Sequence, residues 1–145
     1  MVFPYQYIYP EQYEYMVLLK QGLDTQSKKN NTCMLEMPSG TGKTVSLLSF
    51  ISGYQKAARE RSRGAEFRQL FYCSRTIPEI EQAADEAKRV YKQRKERYGD
   101  GYTFLVIAMA SRKNLCINED VRYAEGRLVD SRCRDLTAPW VRRRR

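Results

Sequence analysis

Residues 37–44 read Met37-Pro38-Ser39-Gly40-Thr41-Gly42-Lys43-Thr44, two glycines followed at once by a lysine and a hydroxyl. Those residue types can hold a polyphosphate. Gly40 and Gly42 permit the left-handed turns that point backbone N–H groups inward around an anion. Lys43 brings a mobile positive charge for the β- and γ-phosphates, and Thr44 a hydroxyl for Mg²⁺. The next run, Val45-Ser46-Leu47-Leu48, reads as a helix whose positive end faces the bound anion. The full pattern G-x-x-x-x-G-K-S/T asks for glycine at position 37, where this chain has Met37, so the match is to the shorter core G-x-G-K-T. A glycine-rich turn that merely caps a helix is the simpler alternative. The lysine-threonine pair and the flanking apolar elements weigh against it.

The elements that must carry this loop are set by periodicity. Gln12 to Gln21 predicts a helix ended by Gly22, and Asp24 to Asn31 a polar loop. Thr32 to Met37 predicts a first strand, and Lys43 to about Arg59 a helix with Leu47, Leu48, Ile51, Tyr54 and Ala58 on one face. Gly53 inside that helix costs about 1 kcal/mol relative to alanine, which points to a close packing contact. Glu60 to Glu66 reads as a charged connector, and Leu70 to Cys73 as a second strand. Thr76-Ile77-Pro78-Glu79 has the form of a capping box opening a helix that Gly99-Asp100-Gly101 stops near Tyr98. Thr103 to Met109 predicts a third strand. Alternating helices and strands argue for an α/β fold with a parallel sheet and right-handed crossovers. Residues 112–145 read as irregular, without a core of their own.

With 145 residues, the chain suffices for one domain. Its 42% hydrophobic and 30% charged content suits a soluble globular α/β domain. No apolar run reaches the ~18 residues of a membrane span. The aromatic start, Met1-Val2-Phe3-Pro4-Tyr5, lacks the basic region of a signal peptide, so an intracellular setting is expected. Histidine is absent, which excludes histidine catalysis and histidine metal ligands. The net charge of +9 is uneven: residues 1–55 are neutral, while 56–97 and 112–145 each carry +5. Basic surface of this kind suits a phosphate-rich partner such as nucleic acid. For residues 88–97 a solvated helix face explains the charge equally well.

Other groups come after predicted strands. In an open α/β sheet the loops at strand C-terminal ends form the ligand crevice. Ser74, Arg75 and Thr76 occupy such a loop beside a helix N-terminus, suited to nucleic-acid phosphates or, more simply, a cap with a surface arginine. Ser111-Arg112-Lys113-Asn114-Leu115-Cys116 succeeds the third strand in the same way. Cys33 and Cys73 fall within predicted strands and read as small core hydrophobes. Cys116 and Cys133 lie in the basic tail, too far apart in sequence for a C-x-x-C pair, and spacing alone makes them free thiols.

Four stretches together resemble the XPD helicase family, the iron–sulfur superfamily 2 helicases of transcription factor TFIIH. They are Tyr7-Ile8-Tyr9-Pro10-Glu11-Gln12, residues 35–48 around the glycine loop, Tyr72-Cys73-Ser74-Arg75-Thr76 and Ser111-Arg112-Lys113-Asn114-Leu115-Cys116. The resemblance runs from about Tyr5 to Val141 and accommodates Met37. It implies a partial RecA-like lobe with a parallel sheet over residues 1–111. It further implies that residues 112–145 begin an irregular iron–sulfur segment. Gln12 would sit near the adenine of ATP, and Ser39, Gly40, Thr41, Gly42, Lys43 and Thr44 would hold its phosphates and Mg²⁺, with Lys43 and Thr44 catalytic. Ser74, Arg75 and Thr76 would touch single-stranded DNA, and Arg112 and Lys113, which adjoin Cys116, would steady the cluster or contact DNA phosphate. Cys116 and Cys133 would be two of four ligands to a 4Fe–4S cluster.

By the same resemblance the function would be ATP-dependent 5′-to-3′ DNA unwinding in nucleotide excision repair and transcription initiation. The setting would be the nucleus, with other TFIIH subunits as partners and no membrane. No Asp-Glu-Ala-His run occurs in the 145 residues. The family's acid box, two further cluster cysteines and second lobe are expected beyond this chain, which would then be a truncated or partial product exposing a sheet edge. The competing expectation is a non-catalytic module that binds ATP and DNA without hydrolysis. A small P-loop kinase is a third reading, opposed by the missing carboxylate and the helicase-like Ser-Arg-Thr segment.

Overall fold

A computed structural model describes residues 2–25, 32–63, 69–124 and 126–142. The Cα positions gather into two compact units, Met1–Val106 and Ile107–Arg145.

The first unit is built on α1 (Pro10–Asp24), α2 (Lys43–Arg61) and α3 (Ile77–Tyr98). Pro10 opens α1, where its missing N–H costs nothing and its fixed φ suits the first turn. The helix runs through Gly22 rather than stopping there, because this glycine serves packing: a Cβ on it would lie 2.8 Å from Cys33 Sγ. Its last residue, Asp24, and its C-cap, Thr25, fall in the predicted loop, the rest of which, 26–31, lies outside the described residues. Arg59 and Arg61 end α2, where positive charge complements the helix dipole. The connector expected over 60–66 therefore begins as helix, and residues 64–66 are not described.

Three serines on α2 are buried, and Ser46 and Ser52 return their hydroxyls to the helix's own carbonyls, Gly42 O at 2.9 Å and Leu48 O at 2.6 Å. On α3, Ala83, Ala87, Val90 and Arg94 recur at helical spacing and form the buried stripe. Val45 and Leu48 meet Ala87 and Val90 in the core, with Phe3 and Phe104 packed against them. Full burial of a Val or Leu contributes about 1.5–3 kcal/mol. Gly99, at φ 81°, ends α3 and donates to Lys95 O at 2.8 Å.

The parallel sheet is not present. Among the described residues there is no strand, and the segments at 32–37, 70–73 and 103–109 carry no ladder of backbone hydrogen bonds. The alternation that predicted strands is nonetheless real. Met34 is 93% exposed, Phe71 80% and Leu105 84%, while Met37 is buried and Tyr72 and Phe104 are partly so. Period-two burial needs only one face against the helices; a strand also needs a neighbour in register. The α/β class, with its RecA-like sheet and exposed sheet edge, thus gives way to helices flanked by irregular segments. Cys33 and Cys73 are exposed, so neither is a core residue.

The second unit also departs from expectation. Residues 112–142 are not irregular: they form α4 (Arg112–Leu115), α5 (Glu119–Arg122), α6 (Gly126–Thr137) and α7 (Pro139–Arg142). Asn118 caps α5 by accepting from the Val121 N–H at 3.2 Å. α6 packs against α4, α5 and α7, and Val121, Val129 and Ala138 are buried. Frequent charges hide the helical period here; Val129 and Cys133, four apart, mark the inner face. Among the described residues no helix is long and apolar enough to cross a membrane.

Candidate nucleotide-binding site

The glycine loop lies between an irregular segment and α2, with Gly42 in the left-handed region at the helix's N-cap. Gly40 and Gly42 both have φ of 79°. A Cβ on Gly42 would collide with Gln12 Nε2, whereas one on Gly40 would meet nothing within 4 Å. Gly42 is therefore needed for both its dihedral and its space, Gly40 for its dihedral alone.

Gln12 is what crowds Gly42. It is only 5% exposed, and both ends of its amide are engaged. Oε1 accepts the Tyr9 N–H at 3.0 Å and Nε2 donates to Thr41 O at 2.9 Å. One side chain thus ties the start of α1 to the glycine loop. Each amide end has a second hydrogen-bonding position left for another group. Thr41 Oγ1 donates to Pro38 O at 2.6 Å and braces the loop internally. Lys43 Nζ donates to Met37 O at 2.9 Å and Pro38 O at 3.1 Å, which holds the ammonium above the loop's first turn. Ser39 is exposed at that turn. Thr44 Oγ1 stands 3.5 Å from the phenol oxygen of Tyr72. With two positive-φ glycines, a lysine and a hydroxyl at a helix N-terminus, these residues fit a phosphate chain and its cation.

Ser74, Arg75 and Thr76 lead into α3, for which Thr76 is the N-cap, though its side chain makes no capping bond. Glu79 organises the turn instead. Its carboxylate accepts from the Ser74 hydroxyl and from the Arg75 N–H at 3.3 Å. These bonds, Ser74 first and Thr76 adding its own, hold the Glu79 carboxyl below the ordinary carboxylate range. The capping box is thus half formed: its acid reaches back and its threonine does not. Arg75 is exposed.

Arg112, Lys113, Cys116 and Cys133 belong to the second unit. Arg112 and Lys113 are exposed on α4, Cys116 Sγ donates to Asn118 O at 3.7 Å, and Cys133 is half-buried on α6. Among the described residues no three His, Cys, Asp or Glu side chains are grouped to hold a metal. Two thiols are half of the four ligands that a 4Fe–4S cluster takes. Sequence reasoning missed Tyr72 and Tyr9 as parts of the loop's surroundings. Tyr72 could have been found from parity: it shares Ser74's side of the chain and faces the helices.

Residues 72–144 match the DEAD_2 family model, and the chain belongs to that family. It is 52% identical over 142 residues to the general transcription and DNA repair factor IIH helicase subunit XPD of Dictyostelium discoideum. That match covers 97% of this chain and 17% of the relative. The subunits of the same name from Schizosaccharomyces pombe and Arabidopsis thaliana are 48% and 46% identical, over 99% and 97% of this chain and 18% and 17% of their own lengths. The resemblance to the XPD family is borne out. The chain spans less than a fifth of the length of these relatives.

Proposed function

We propose that this chain is the nucleotide-binding portion of an ATP-dependent DNA helicase of the XPD type, moving 5′ to 3′ in nucleotide excision repair and transcription initiation. Its setting is then the nucleus and its partners are other subunits of the transcription and repair factor that the relatives' names describe. The observation that carries the reading is the Gln12 amide bound to Thr41 O at 2.9 Å against a glycine that tolerates no side chain. That clamp shapes the loop around Ser39 to Thr44 for ATP phosphates, with Lys43 for the terminal phosphates and Thr44 for Mg²⁺. Gln12's spare hydrogen-bonding positions suit an adenine edge. Ser74, Arg75 and Thr76, with Arg112 and Lys113, supply contacts to the phosphates of a single strand. Cys116 and Cys133 provide two thiolates toward a 4Fe–4S cluster, which needs two more from outside these residues.

The 145 residues hold no Asp-Glu-Ala-His run, so this chain's own share is binding with little hydrolysis. The test is titration of the purified chain with a fluorescent ATP analogue and Mg²⁺, beside K43A. Loss of a charge-assisted contact in K43A weakens binding about 10- to 100-fold. Equal affinity in both proteins would sink the loop assignment. Vigorous DNA-stimulated turnover by the chain alone would contradict the binding-only share.

A further inference from the structure

If the glycine loop holds a nucleotide, the Thr44 hydroxyl meets the cation that the nucleotide carries, and the role inferred for its neighbour rests on that reading. A hydroxyl has one proton and two lone pairs. Once a lone pair faces a dication, the O–H bond is polarised and its proton needs an acceptor on the protein side. The Tyr72 phenol oxygen, 3.5 Å from Thr44 Oγ1, is the side-chain partner at that place among the described residues. The spacing exceeds the usual O–H···O separation of about 2.8 Å. Such contacts commonly tighten when ligand arrives.

Tyr72 is partly buried and interacts electrostatically with the Tyr15 phenol, as does Cys33. Burial first, then Tyr72 and Cys33, push the Tyr15 phenol above its ordinary value, so it stays protonated at neutral pH. No carboxylate bonds to either hydroxyl among the described residues, so a phenol stands in the position of proton acceptor.

We propose that Tyr72 is a positioning residue for Thr44: its phenol oxygen accepts the Thr44 hydroxyl proton and turns a hydroxyl lone pair toward the nucleotide's divalent cation. Tyr72 also lies two residues before Ser74, so the nucleotide's cation and the Ser74–Thr76 turn share one short segment.

The experiment compares the affinity of the full chain for a fluorescent ATP analogue with Mg²⁺ and with EDTA. The ratio of the two dissociation constants is the cation's contribution. In Y72F this ratio falls about 3- to 10-fold, the worth of one hydrogen bond, while the EDTA value stays within about twofold of wild type. In T44A the ratio collapses, and adding Y72F lowers it no further. An unchanged ratio in Y72F overturns the proposal, and so does a further loss when Y72F is added to T44A. Wild-type chain that binds no analogue sinks the nucleotide reading and this inference with it. Binding with an intact ratio in Y72F sinks only this inference.

Discussion

Gly53 on α2 lies directly under the Arg94 guanidinium of α3, such that a Cβ on Gly53 would come within 2.9 Å of Arg94 Nη2. Arg94 is only 1% exposed, and its Nη2 donates to Ser49 O at 2.9 Å, one turn before Gly53. A buried positive charge is thus held by a backbone carbonyl and the Tyr102 phenol, while Arg94 Nε and Ser49 Oγ have no hydrogen-bond partner among the described residues. The arrangement leaves no slack for a methyl group.

Gly53→Ala therefore has two opposed effects. Helix propensity favours alanine by about 1 kcal/mol. Displacing Arg94 weakens a buried, charge-assisted hydrogen bond worth about 1.5–3 kcal/mol. The expected net result is destabilisation by about 1 kcal/mol, read as a lower urea midpoint by circular dichroism. The sign should reverse in an R94M background, where the guanidinium no longer competes for the space. A stabilising G53A in the wild-type background would show that Arg94 moves aside freely.

This contact shows what was legible in the chain. A glycine within a helical run announced a close approach, but its partner, forty-one positions away, could not be named from sequence. The glycine loop and the three long helices were readable because dihedral demands and the 3.6-residue period are local. The sheet was not, because alternation at Leu35, Tyr72 and Phe104 reports which side faces the helices and says nothing of backbone pairing. The helices of residues 112–142 were missed because charges outnumber the few apolar markers, Val121, Val129 and Ala138, that form their inner side. Within the site, Lys43 and Thr44 were identifiable by type. The two-ended engagement of Gln12 and the Tyr72 phenol depend on tertiary approach, which spacing does not encode.

Glu79 makes the Ser74–Thr76 turn sensitive to acid. Its carboxyl is held low, chiefly by the Ser74 hydroxyl, so the folded value lies below the unfolded one. Such a group adds its stabilisation above the unfolded carboxylate range and loses it as pH falls through the depressed folded value. The turn should hold at neutral pH and loosen only below the ordinary glutamate range. An NMR titration of the Arg75 amide gives the measurement. S74A should raise the midpoint toward the ordinary glutamate value, and E79Q should abolish the transition. A wild-type midpoint at or above the ordinary value would contradict the bonding described.

Arg75 is exposed beside this turn, and its role is separable from fold stability. If it meets one phosphate of a single strand, removing it removes one set of released counterions. The slope of log affinity against log salt concentration should then become shallower by about 0.7, the single-strand value per phosphate contact. R75A should weaken binding to oligonucleotides of different sequence by similar factors, since phosphates carry no base information. Its melting temperature should match the wild type, because Arg75 lends Glu79 only its backbone N–H, which alanine keeps. Fluorescence anisotropy with labelled oligonucleotides across a salt series provides the data. An unchanged slope with reduced affinity would mean that Arg75 acts by shaping the turn; an unchanged slope and affinity would remove it from the strand interface altogether.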